Sequence, residues 1–249
     1  MQINGIYCNL IYPIQHDPGM ALTWTEMEGG YLRVEDLGIT YDKRRSSFSV
    51  EGEADEIFAI HDALRAGVKA DSVFTIVTAP DEAILGSLYA NGTHTAKLEA
   101  YSRPKRINLR LYQIKMDWFF ISSPVRRTVT ADLYSMPLPL EYENGLDMQQ
   151  NNFEPIYPDT FQTLTDGAEV GSWTITTPAL TSDEAAAIIK DLVVNVRRLS
   201  FEIPSAWSGL HPFGKSYAPG IWAFVRSAFE SVSSFDNHTI KLELIQDVR

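Results

Sequence analysis

The chain reads as one structural unit written twice, and this limits its fold more than any other feature. Residues Asp55–Leu64 read DEIFAIHDAL and residues Asp183–Leu192, half a chain further on, read DEAAAIIKDL. Asp55/Asp183, Glu56/Glu184, Ala59/Ala187, Ile60/Ile188 and Leu64/Leu192 are identical pairs. Ile57, Ile60 and Leu64 fall on Ala185, Ile188 and Leu192, the i, i+3, i+7 spacing of one helix face. A strand-like stretch precedes each helix (Ser46–Val50 and Ser172–Thr176), and an apolar strand follows each (Val73–Val77 and Leu199–Ile203). Each half also holds an alternating segment, INLRLYQI at 107–114 and IKLELIQD at 240–247. The expected alignment sets Ile107, Leu109 and Leu111 on Ile240, Leu242 and Leu244.

A chain of 249 residues suits one large domain or two small ones. With 45% hydrophobic and 21% charged residues it has the composition of a globular protein. A net charge of −11 argues against a nucleic-acid-binding surface, which needs a basic stripe to neutralise phosphates. It permits DNA to pass without sticking. Cys8 is the only cysteine, which excludes an intrachain disulfide and a cysteine-based metal cluster. No basic region precedes the short apolar stretch near Met1, and no run reaches the roughly 20 apolar residues of a membrane helix. The expectation is synthesis in a cytoplasm and no membrane insertion.

The first part of the chain reads as extended. Ile6–Tyr12 is a strand candidate ended by Pro13, and Ala21–Glu28 and Tyr31–Tyr41 flank a Gly29-Gly30 hairpin turn. A first helix is expected over 53–66, with Gly67 as the residue after its cap. The second opens on a capping box, Thr181 with Glu184, and Asn195 is a candidate for its end. The stretch 134–160, with Pro137, Pro139, Pro155, Pro158 and Asn144-Gly145, reads as a linker or arm lying on this chain or a neighbour. The expected division is 1–133, linker 134–160 and 161–249. Asp81–Tyr89 and Gly220–Val232 lean to helix, the latter because Trp222, Val225, Phe229 and Val232 keep helical spacing; IWAFV at 221–225 also suits a buried strand.

Catalytic chemistry has no foothold here. His16, His61, His94, His211 and His238 are scattered, with no HExxH and no cysteine pairing, so no metal site is expected. Trp207-Ser208-Gly209 lacks the first glycine of a nucleophile elbow. Gly214-Lys215-Ser216 resembles the tail of a phosphate loop, but Pro212 removes a backbone donor the phosphate needs. Acidic pairs such as Asp183-Glu184 suit helix starts. The clusters Lys43-Arg44-Arg45, Arg126-Arg127 and Arg197-Arg198 read as solvated strand ends or as partners for acids on another chain. No catalytic, cofactor-binding or metal-binding residues are expected, and the chain reads as a non-enzyme.

A helix lodged between strands, followed by a long alternating strand and repeated twice, resembles the tail-tube fold of tailed bacteriophages in its duplicated form, as in baseplate hub, tail-tip and distal tail proteins. The resemblance rests on Asp55–Leu64, Asp183–Leu192 and the segments 107–114 and 240–247. It implies an α+β, predominantly β chain of two tandem tail-tube-like units, each a β-sandwich or curled sheet with a flanking helix. It further implies a structural virion protein at the distal tube or baseplate of a viral tail, made in the host cytoplasm. The units join edge to edge into a ring, a homotrimer with pseudo-sixfold symmetry, contacting other tail proteins and passing DNA unbound through an acidic lumen. The stretch Gly29–Val50 is then the hairpin that grips the adjacent ring. A rival reading is a monomeric tandem β-rich module binding carbohydrate, since 11 Tyr, 12 Phe and 5 Trp offer faces that stack on sugars.

Overall fold

Segments of alternating apolar residues suit strands, and the computed structural model is strand-rich, with two helices among the described residues. It describes residues 1–18, 22–26, 32–36, 44–79, 82–121, 127–129, 141–148, 151–153, 162–164, 169–192, 200–203, 222–234 and 236–247; for 22–26, 32–36, 141–148, 151–153, 162–164 and 169–171 only the backbone is described.

The first half contains β1 (Gln2–Ile3), β2 (Ile6–Tyr7), β3 (Asn9–Asp17), β4 (Leu22–Glu26), β5 (Leu32–Asp36), β6 (Arg44–Glu53), α1 (Ala54–Lys69), β7 (Phe74–Val77), β8 (Thr93–Tyr101), β9 (Lys105–Arg106) and β10 (Leu111–Phe120). The second contains β11 (Glu141–Met148), β12 (Asn151–Phe153), β13 (Gln162–Leu164), β14 (Glu169–Thr176), α2 (Ser182–Lys190), β15 (Phe201–Glu202), β16 (Trp222–Ser234) and β17 (Asn237–Gln246). A single 13-stranded sheet runs β11-β14-β17-β16-β3-β6-β10-β8-β7-β1-β2, with β15 beside β16 and β9 beside β10. The pairs β4–β5 and β12–β13 form small sheets of their own.

The strand order repeats. β3-β6-β10-β8-β7 in the first half recurs as β11-β14-β17-β16-β15 in the second, and each helix leaves the second strand of its series. The agreement reaches single residues. Phe74 lies opposite Ala96 on β7 and β8, and Phe201 lies opposite Ala223 on β15 and β16. In the β8–β10 ladder one residue, Glu99, is skipped between the pairs Leu98–Trp118 and Ala100–Asp117. The β16–β17 ladder skips Arg226 between Val225–Leu244 and Ser227–Glu243, at the same place in the order. Two bulges at matching positions are a stronger mark of repetition than two similar helices, because a bulge is a specific local disruption of pairing.

One face of the sheet is apolar. Phe48, Val50, Ile114, Met116 and Trp118 in the first half, and Ile175, Ile240, Leu242 and Leu244 in the second, are buried. α1 lays Ile57, Ile60 and Leu64 on β6 and β10, and α2 lies against β17 with Ala185, Ile188 and Ile189 buried. Both helices start on capping interactions: Glu56 Oε2 accepts from the Glu53 amide at 3.0 Å, and Glu184 Oε2 accepts from the Thr181 amide at 2.9 Å. Thr181 Oγ1 in turn accepts from the Glu184 amide at 3.3 Å, completing the second box.

Several sequence expectations change. α1 passes through Gly67 and ends at Lys69, and Asp71, just past the cap, is the left-handed residue with a φ of 47°. The Ser72 amide donates to Gly67 O at 2.9 Å and the Asp71 amide to Val68 O at 3.4 Å, a Schellman ending. Gly67 is needed for packing instead, since a Cβ there would overlap the Phe74 ring. Pro13 does not end its strand; the β3–β6 ladder slips between Ile11 and Gln15, and the irregularity accommodates a residue without an amide donor. Residues 107–110 form a turn in which Asn108 Oδ1 accepts from the amides of Arg110 and Leu111, leaving Leu109 86% exposed. The repeat therefore sets Ile114, Met116 and Trp118 on Ile240, Leu242 and Leu244.

Residues 222–234 form a strand, not a helix. The bulge at Arg226 shifts the inward phase from Ala223 and Val225 to Ala228, Glu230 and Val232, so an interrupted alternation imitates helical spacing. Residues 82–89 form turns, with Gly86 at a φ of 71°. In the stretch 134–160, Glu141–Met148 pair along β14, which places Asn144-Gly145 within a strand opposite Trp173 and Ser172. The Gly29–Val50 hairpin is divided: Leu22–Glu26 pair with Leu32–Asp36, while Arg44–Val50 belong to the main sheet. Gly29-Gly30, Asn195 and residues 204–221 lie outside the described residues.

Candidate functional site

The two halves meet where β3 pairs with β16, and this seam holds the most polar part of the core. Only three residue pairs form it: Ile14–Val232, Gln15–Ser231 and His16–Glu230. Ile14 and Val232 are fully buried, and so is the titratable pair beside them, with His16 and Glu230 each 1% exposed. β17 adds His238, whose Nδ1 lies 2.7 Å from Glu230 Oε1. The turn at 86–87 closes over the carboxylate. Its Ser87 amide donates to both Glu230 oxygens, at 2.9 and 3.1 Å. A side chain on Gly86 would overlap Glu230, which is why this turn takes glycine.

Burial alone would raise the pKa of Glu230. The His238 hydrogen bond, the charges on the two histidines and the Ser87 amide outweigh it and hold the carboxyl below its ordinary value. Burial acts on His16 in the opposite sense and takes it down to about 4, against the pull of Glu230. His16 Nδ1 is 2.9 Å from Ser46 Oγ, and His16 Nε2 has no hydrogen-bond partner among the described residues. The His16, Glu230 and His238 side chains are all buried. The chemistry of this cluster is that of a joint: a satisfied carboxylate binds elements of both halves.

A second tie crosses the same boundary. Arg127 donates from Nη1 to Ser87 O at 3.2 Å and to Ser182 Oγ at 2.6 Å, and its Nη2 pairs with Asp183 at the start of α2. A cleft of about 470 Å³ lies here, between the turn at 83–92 and Ser182.

Of the histidines singled out in sequence, His16 and His238 converge on Glu230, an arrangement that pairing across β3, β16 and β17 creates and local sequence does not signal. His94 packs edge-on to Phe120, and burial lowers its pKa. His61 Nδ1 lies 3.6 Å from Asp62 Oδ1 beside Tyr101. His211, Trp207-Ser208-Gly209, Gly214-Lys215-Ser216 and Arg197-Arg198 lie outside the described residues. Of the basic clusters, Arg45 pairs with Glu99 at 2.9 Å, and the Arg44 guanidinium sits 5.2 Å from the Tyr89 ring centre. Trp118 and Trp173 are core residues, and the exposed aromatics Tyr7, Phe58 and Phe229 sit on separate elements. Among the described residues no group of His, Cys, Asp and Glu side chains is arranged to hold a metal ion, and no helix is long and apolar enough to cross a membrane.

No protein-family model matches this sequence, and a search of characterised proteins finds no significant relative.

Proposed function

We propose that this chain is a structural component of a bacteriophage tail, two tandem tail-tube-like units that assemble with further copies into a ring at the distal tube or baseplate. The observation that carries the reading is the seam. Two units of one strand order are joined so that the outer strand of the first, β3, lies on the last long strand of the second, β16. Such a contact is head-to-tail: it uses different edges of the two units and leaves β11 and the part of β8 beyond Ala96 with one outer side unpaired among the described residues. Repetition of a heterologous contact closes a ring when the rotation allows and grows a filament when it does not. Closure also removes sheet edges, which otherwise invite uncontrolled pairing.

In such a ring the helices face outward and the uncovered sheet face lines the passage. That face carries acids and bases interleaved, among them Asp17, Arg45, Glu51, Lys115, Asp117, Lys241 and Glu243, and an inner wall with more acids than bases stays part of the proposal. Electron microscopy of the native assembly tests the proposal. The chain is expected as a ring of three copies with six similar units around the axis, stacked on tube or tail-tip proteins. A free-standing monomer with an occupied sugar pocket, and no ring in any particle, would sink it.

A further inference from the structure

We infer that a second copy of this chain docks through its β11 strand on the open edge formed by residues 97–106, repeating between chains the contact that β3 and β16 make within one. The inference rests on the ring reading and specifies its interface.

β7 covers the outer edge of β8 only along Thr93–Ala96. From Lys97 onward the strand is bonded to β10 on one side, through the pairs Lys97–Phe119 to Tyr101–Met116 and then through Ser102, whose amide donates to Lys115 O at 2.9 Å. β9 continues the same line, with Lys105 and Arg106 opposite Gln113 and Tyr112. No described strand pairs the other side of 97–106. At the far end of the sheet β11 pairs with β14 alone among the described strands. These two edges are the counterparts of the seam strands. The matched bulges set Glu99 on Arg226, which carries Glu230 and Val232 back to Arg103 and Lys105. The pairs His16–Ser46 and Asn144–Trp173 set β3 on β11.

Copying the seam register then gives antiparallel pairs of Asn144 with Arg103, Tyr142 with Lys105, and Glu141 with Arg106. Charge favours this match. β11 reads EYENGLDM, three acids and no base, whereas 97–106 reads KLEAYSRPKR, with Lys97, Arg103, Lys105 and Arg106 against Glu99. Arg103 and Lys105 are exposed, and their side chains make no ion pair among the described residues. Lone edge strands usually carry such charges to repel copies of themselves. Here the two edges carry opposite charge, which suppresses like-with-like pairing and favours the head-to-tail contact.

The test is disulfide trapping in the full-length chain carrying both Asn144→Cys and Arg103→Cys. Opposed residues of antiparallel strands lie at about 4.5–5.5 Å between Cα atoms, within reach of a disulfide. The native Cys8 is buried with its thiol pushed up to about 12, so it stays silent. Expected on oxidation are covalent multimers ending in a closed species with no free engineered thiol, while either single variant alone stays unlinked. Arg106→Glu should weaken association at least tenfold by sedimentation, and Glu141→Arg in the same chain should restore it. Multimers that form without the 103–144 disulfide, or with Arg106→Glu unaffected, would overturn this pairing and leave the ring reading standing. Absence of multimers, both from concentrated protein and from particles made with the chain, would overturn both.

Discussion

Phe74 and Phe201 occupy the same place in the two halves: each opens a short strand, each is buried, and each faces an alanine, Ala96 or Ala223, on the neighbouring strand. The small residue opposite leaves room for the ring, which reaches under the helix of its unit in the first half and fills against Gly67. This pairing of large with small is what a repeated core requires, and it yields the first prediction.

Gly67→Ala should destabilise the protein although alanine is the better helix former. The propensity gain is about 1 kcal/mol, whereas overpacking a core costs about 1–3 kcal/mol, and the upper part of that range applies where a Cβ overlaps a ring. Adding Phe74→Leu should recover part of the loss. Denaturant unfolding of the single and double variants measures both; a more stable Gly67→Ala protein would contradict the packing account.

Leu64 and Leu192 are completely buried at equivalent positions of the repeat. Truncation of either to Ala should cost about 2–5 kcal/mol, from lost transfer energy plus the cavity left behind. Losses under about 1 kcal/mol for both would mean that these helix faces are free for a partner.

Glu230→Gln keeps the shape of the seam but removes the charge that His238 meets at 2.7 Å. Breaking a buried charged pair on one side costs about 3–5 kcal/mol. Ser231→Ala, one residue along and facing the other way, should stay within about 0.5 kcal/mol. Hydrogen exchange should quicken at Ile14–His16 and at the Ser87 amide in the Gln variant. Unchanged exchange there would show that Glu230 does not hold the halves together.

Acid should loosen the same joint. Below the ordinary histidine value of 6.5 the unfolded chain takes up a proton at His16, while the folded chain resists until about 4. Unfolding is therefore favoured as pH falls across that window, by on the order of 3 kcal/mol if the whole shift is expressed. Glu230 adds to the same slope: its folded value lies under 4.5, so its contribution is present above 4.5 and is lost as pH falls through the folded value. Around it stand His16 on β3, His238 on β17 and, above Tyr89, Arg44 on β6. Urea melts near neutral pH and near pH 5 should differ in midpoint, and His16→Asn should flatten the difference. Equal midpoints for the parent protein would refute the assignment.

The helices were legible because their determinants are local: Thr181 with Glu184 marks a start, and Ile57, Ile60 and Leu64 mark a face. Repetition was legible for the same reason, but its register in the alternating strands was not. Alternation at 107–111 continues that of β10 without a break, and only the turn made by Asn108 divides them. β16 was obscured by its own bulge, which converts a period of two into a spacing of three at Val225 and Ala228. The Glu230 cluster was beyond reach, because it depends on which strands become neighbours and not on what any segment prefers.

Covalent continuity of the two halves changes the concentration dependence of assembly. In a closed ring of such chains, half of the unit-to-unit contacts are already made before any two chains meet. Joining partners through one backbone replaces bulk concentration with an effective one in the millimolar range for a short connection. The seam, whose ladder is three residue pairs, therefore forms within the chain without any encounter between molecules. In the proposed ring the remaining contacts would form at whatever concentration of chains is supplied, so that chain number, and not unit number, would govern when it closes.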